Sequence, residues 1–283
     1  SGLGNYRGFW LLVFWCAGTL GAQEPTTLRW GTDPTGGAPY IYQDDAGKYI
    51  GFEVELAEYF AKKLGRKSEM VDGDWANLPE QLKKDRSVEK GVDILLNGYE
   101  LRKDFVEEFA ATRPYYIYRL ALITRKDNAS VLGWSDLQPR AEQRKKTICV
   151  LGGSVAHHYL KENYPDGVDL ANNSDVANVI KLVRDGRLDG SVQDTPAGVY
   201  FCKEYPELHV AGEPVRSGFY VIYYRKEDVA LGKALDQAIT EGITDGTFET
   251  IYRKYGLWNE DQERLKYWLT QPWPPPLDEV EEE

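Results

Sequence analysis

At 283 residues, with 42% hydrophobic and 28% charged side chains, the chain has the make-up of a globular protein with room for two modest cores, which excludes a disordered or fibrous one. Its formal net charge of −11, with no basic cluster able to track a phosphate backbone, excludes nucleic acid as a partner. Three histidines at no ligand spacing, and no phosphate loop, leave no metal or cofactor to expect.

Residues 1–22 read as a secretory signal: Arg7, then the apolar run from Phe9 to Cys16, then the small residues Ala17, Gly18, Gly21 and Ala22. The run is short for a membrane span. Bulky Phe14 and Trp15 before Cys16 argue against lipid attachment. Beyond this segment Cys149 falls in a strand pattern and Cys202 in a helix, and a bridge and two free thiols both stay open.

Leu28 to Thr32 predicts a first strand, ending at Asp33-Pro34 and a Gly-Gly turn. Phe52, Leu56, Tyr59, Phe60 and Leu64 recur at helical spacing, with Gly65 as the stop. A strand over Ser68–Val71, a helix from Leu78 to Lys84 and a strand over Val92–Leu96 follow, the last running into Asn97-Gly98-Tyr99-Glu100. Strand and helix in alternation predict a mostly parallel sheet. The stretch from Tyr115 to Ile123 is long and extended, and then the alternation restarts. It gives a strand at Thr147–Val150, Gly152-Gly153-Ser154 opening a helix, a helical face of Val176, Val179, Ile180 and Val183, and a strand from Leu188 to Val192.

Next comes Gln193-Asp194-Thr195-Pro196. Thr195 suits a helix cap and Pro196 its first turn, which puts Asp194 just outside the cap at the carboxyl end of a strand. By itself this acid is equally an ordinary turn residue. Phe219 to Tyr224 forms a second β-rich run, Leu231–Ile239 and Thr247–Tyr255 are helical, and beyond Trp258 the chain is polar and proline-rich. Two α/β units joined by two extended segments make a hinged molecule: one lobe from 28–116 plus 220–258, a second from 117–219, and a tail at 259–283.

Five landmarks in order carry a family resemblance: Gly51-Phe-Glu-Val-Glu-Leu56, Val92-Asp-Ile-Leu95, Thr112-Arg-Pro-Tyr-Tyr116, Gln193-Asp-Thr-Pro196 and Asp245-Gly-Thr-Phe-Glu-Thr-Ile-Tyr-Arg-Lys-Tyr255. From about Leu28 to Trp258 the chain resembles the solute-binding proteins of ABC importers for polar amino acids, the glutamine-binding-protein-like group. The resemblance implies an α/β, two-lobed periplasmic-binding-protein type II fold (a venus flytrap) with two extended hinge segments. It also implies a monomer exported to the periplasm, without enzymatic activity, which captures a small amino acid or amine-bearing ligand in the interlobe cleft and delivers it to an ABC transporter permease.

Matched residue by residue, the resemblance makes Asp194 the acid that pairs with a ligand ammonium, Gly98 a backbone carbonyl facing the same group, and Trp75 an aromatic wall. It makes Gly153, Ser154 and Val155 an anion-holding loop at a helix start, and Asp33 a first-lobe acid. The departures are informative. Where the family clamps the ligand carboxylate with Thr and Arg, this chain has Glu100 and Phe105, and Gly37 stands where a second aromatic wall is usual. Arg102, Arg113 or Arg119 is either a displaced clamp, with Arg102 nearest in sequence, or a surface side chain. Glu100 is either a cleft acid or a complement to a helix dipole. Among many tyrosines, Tyr99 and Tyr116 are taken as cleft candidates. Three acids around one cleft favour an amine-bearing ligand. The alternatives are an enzyme on the same fold, resembling the cyclohexadienyl dehydratases, and a ligand-sensing lobe of a membrane protein.

Overall fold

A computed structural model describes Gly2 and residues 23–277. Apart from Gly2, the expected secretory signal lies outside the described residues, as do the acidic residues 278–283.

β1 (Thr27–Thr32) is followed by a small hairpin of β2 (Tyr42–Gln43) and β3 (Tyr49–Ile50), and then by α1 (Phe52–Lys63). The helical spacing read from Phe52, Leu56 and Phe60 turns all three into the core. β4 (Lys67–Asp72), α2 (Leu78–Leu82), β5 (Ile94–Leu95), α3 (Lys103–Glu108) and β6 (Ala110–Ala111) complete this half. Parallel pairing sets β1 between β4 and β5, with Trp30 opposite both Met70 and Ile94.

β7 (Tyr116–Arg125) is the long strand expected from the Tyr115–Ile123 run, and it is the spine of the second sheet. That sheet also takes β8 (Lys146–Val150), β9 (Val168–Asn172), β10 (Gly190–Asp194), β11 (Leu208–Val210) and β12 (Val215–Tyr220). α4 (Val155–Asn163), α5 (Val176–Arg184) and α6 (Thr195–Glu204) connect them. The second β-rich run does not stay in one sheet. β12 ends at Tyr220 against Tyr116, and β13 (Tyr223–Tyr224) inserts antiparallel between β5 and β6 of the first sheet. The chain therefore crosses between the lobes twice, at the Tyr115–Tyr116 end of β7 and between Tyr220 and Tyr223. Cys149 and Cys202 are both unpaired.

α6 corrects one local expectation. Its N-cap is Asp194, not Thr195, and the Asp194 side chain makes no capping hydrogen bond. The carboxylate has a stronger partner in the Tyr220 hydroxyl, and the Thr195 hydroxyl accepts from Arg119 N–H at 3.2 Å.

α7 (Val229–Thr244) and α8 (Thr247–Lys254) return to the first lobe, where Phe248 packs edge-on against Tyr59 and Phe60. The polar segment after Trp258 is better ordered than its composition suggests. It forms α9 (Glu260–Glu263) and α10 (Leu265–Trp268), with Gln262 and Leu265 buried against the hinge.

Candidate functional site

The parallel strands of the two sheets point their carboxyl ends at each other, the place where open α/β sheets leave room for ligands. β1 delivers Asp33, β5 delivers Asn97, Gly98 and Glu100, β8 leads to Leu151 and Ser154, and β10 ends at Asp194; all of these line one narrow cleft with a cavity volume of about 60 Å3.

The first-lobe wall is braced from below. Asp33 accepts from Thr35 N–H and hydroxyl through one oxygen and from Trp75 N–H at 2.9 Å through the other. The indole Nε1–H of Trp75 donates to Asn97 O at 3.2 Å, and Asn97 Oδ1 accepts from Asp33 N–H at 2.7 Å. Gly98 turns with φ +60°, and a Cβ there would come within 3.1 Å of the Tyr40 ring. Its N–H donates at 2.7 Å to Glu53, a buried acid that also accepts from the Tyr115 hydroxyl at 2.6 Å. Burial raises the Glu53 carboxyl to about 7 even though both hydrogen bonds oppose the rise.

Glu100 and Asp194 form the acidic centre. A single antiparallel bridge sets Glu100 beside Tyr220 across the hinge. Tyr220 donates its hydroxyl to Asp194, and the Tyr40 hydroxyl lies 2.7 Å from it, so a chain of tyrosines runs from the first lobe to the second-lobe acid. Glu100 is 1% exposed; its Oε1 accepts from Val155 N–H at 3.2 Å across the cleft, and its Oε2 is buried with no partner. Burial raises the pKa of Glu100, and burial together with the charge of Glu100 raises that of Asp194 well above the carboxylate range.

Of the residues singled out from sequence, Asp33, Trp75, Gly98, Glu100, Ser154 and Asp194 meet at this cleft. The others do not line it. Tyr99 is fully buried behind the wall, stacked on Trp75 at 4.9 Å. Tyr116 is core: its hydroxyl donates to Leu257 O, and its ring stacks on Tyr220. Gly153 and Val155 flank the entrance, the second only as an amide donor to Glu100. Arg102 is held outside by Asp104 and Gly153 O, with its guanidinium 4.8 Å over Phe105. Arg113 and Arg119 grip the carboxy-terminal segment at Trp268, Gln271 and Asp261.

Sequence reasoning missed Tyr40 and Tyr220 as wall residues, because aromatics in a β-rich run read as core. One signal was available: Gly37 lacks a side chain where a wall is expected, and Tyr40 lies just after it in the same turn. Among the described residues no cluster of His, Cys, Asp and Glu is suited to a metal, and no helix is long and apolar enough to cross a membrane.

Comparison with known proteins gives consistent relatives. The family model for bacterial extracellular solute-binding proteins, family 3, matches residues 28–257. The histidine-binding periplasmic protein of Escherichia coli K12 is 28% identical over 255 residues, covering 87% of this chain and 93% of that protein. An ancestral arginine-binding protein bound to arginine superposes with a TM-score of 0.73 at 26% identity, over 83% of this chain and all of the other. An ancestral amino acid-binding protein described as a precursor of cyclohexadienyl dehydratase gives 0.72 at 26% identity, over 81% and 95%.

Proposed function

The chain belongs to the bacterial extracellular solute-binding proteins, family 3, and from that premise we propose that it captures a small amine-bearing ligand, an amino acid or a related amine, in the interlobe cleft. The ligand is then handed to an ABC transporter permease by a monomer exported to the periplasm. Relatives named for histidine and for arginine support the ligand class. The observation that carries the reading is the facing of Glu100 and Asp194 in a cleft lined by no lysine or arginine among the described residues. An ammonium between them receives charge-assisted hydrogen bonds, roughly twice the strength of neutral ones. Trp75 lines the cleft beside them, an aromatic side chain able to take its stem or its charge.

A thermal-shift screen of amino acids and amines tests this. Mass action at about 100 times Kd contributes roughly 2.7 kcal/mol, or about 5–10 °C in Tm for a chain of this size. Asp194→Asn is expected to weaken the bound ligand at least about tenfold while the protein stays folded, in line with roughly 1.5–3 kcal/mol for a hydrogen bond to a charged group. Equal affinity in the variant removes Asp194 from the site.

One observation favours a second reading. The unpartnered Glu100 oxygen and its raised pKa suit a proton donor, as a dehydratase on this fold requires. That reading predicts consumption of prephenate or arogenate. Binding without turnover removes it.

A further inference from the structure

Three backbone amides stand at the start of α4 where an anion could be held, and each already has an acceptor within the chain. Gly153 N–H donates to His157 Nδ1 at 2.9 Å, Ser154 N–H to Leu151 O at 3.2 Å, and Val155 N–H to Glu100 Oε1 at 3.2 Å. The last of these crosses the cleft and seats a carboxylate on a helix N-terminus, the position such a terminus favours for an anion. That carboxylate belongs to the protein. Its second oxygen, Oε2, stays buried and unpartnered in a side chain that lines the cleft.

Among the described residues no cationic side chain in the cleft answers a second anion. No lysine or arginine lines it among the described residues, and the Arg102 guanidinium is engaged by Asp104 and Gly153 O. Asp33 is buried, with both oxygens accepting from the chain itself.

We propose, granting that this cleft is the ligand site, that it selects organic cations without a carboxylate, namely primary amines, diamines or guanidines. Glu100 occupies the amide a ligand carboxylate would use and turns Oε2, together with Asp194, toward the cation. A zwitterionic amino acid brings its carboxylate up against Glu100, Asp194 and Asp33 with no cation to receive it, and like charges across a poorly solvated gap repel strongly. A bare ammonium or guanidinium meets an unpartnered acceptor, a second carboxylate and the Trp75 ring. Burial raises the pKa of both acids, and the charge of Glu100 adds to the rise at Asp194, whereas Arg102 only partly offsets it at Glu100; both acids therefore gain from a cation between them.

The test is calorimetry on the folded chain with matched pairs that differ only in the carboxylate: agmatine against arginine, cadaverine against lysine, putrescine against ornithine, histamine against histidine. The expected result is that at least one amine binds at least about tenfold more tightly than its parent amino acid, about 1.4 kcal/mol. Glu100→Gln is expected to weaken that amine by a similar factor, with circular dichroism confirming the fold. The wild-type pairs decide the matter even if that variant fails to fold. Parent amino acids that bind as tightly as their amines, or more tightly, overturn the selectivity and leave the amine-bearing ligand reading standing. Silence from every member of both series overturns both.

Discussion

Glu53 lies wholly out of water at the first turn of α1, and its carboxylate holds the Gly98 turn that shapes one wall of the cleft. Its pKa is raised from 4.5 to about 7, so across that interval the folded chain keeps a proton that the unfolded chain has released. Stability attributable to Glu53 is therefore intact below the ordinary carboxylate value and declines as pH climbs toward 7, by roughly 3 kcal/mol in all. Glu53→Gln, which cannot ionise, is expected to flatten that decline in urea titrations at stepped pH; an unchanged slope assigns it to other groups. A related expectation concerns affinity. Because burial raises the pKa of Glu100 and Asp194, both take up protons at higher pH than free carboxylates, and an amine is expected to bind more weakly as pH falls. Calorimetry at stepped pH checks it. At this scale the family resemblance pointed to Asp33, Gly98 and Asp194, each of which follows or ends a strand and lines the cleft. The sequence was opaque at Tyr220, whose place in the cleft depends on a cross-hinge bridge to Glu100 that no local pattern announces.

Elements show the same division. Helical spacing located α1 and α5 because one face of each is apolar and buried. The stretch Glu260-Asp-Gln-Glu263 carries no such stripe, yet it docks through polar groups. Gln262 accepts from Ile117 N–H at 2.9 Å and donates to Ile117 O at 2.7 Å, satisfying both backbone groups of one hinge residue. Asp261 takes the Arg119 guanidinium through both oxygens, at 2.7 and 3.0 Å. Gln262→Ala leaves a buried donor and acceptor unpaired and is expected to destabilise the fold by about 2–4 kcal/mol in urea titration. A loss under about 0.5 kcal/mol means water replaces the amide.

For the whole molecule, the alternation of strands and helices made two α/β units legible, and the two long extended runs made the crossing points legible. What joins the lobes face to face was not, because those contacts exist only once the jaws meet. Among the described residues they include three polar links, Glu100 to Val155 N–H, Arg102 to Gly153 O and the tyrosine pair reaching Asp194, and the ring contact of Tyr42 with Tyr200 at 5.6 Å. Arg102→Ala removes one of them and is expected to shift the protein toward a more open form, read as a larger radius of gyration in small-angle scattering. An unchanged radius means the remaining contacts suffice. The docked end of the chain adds something further. Trp268 and Trp273 stand edge-on to Phe219, at 4.8 and 5.5 Å, on a strand that spans the pivot. A swing of one jaw that displaces Phe219 is expected to alter the surroundings of these two indoles, which would make intrinsic fluorescence a dye-free gauge of the movement.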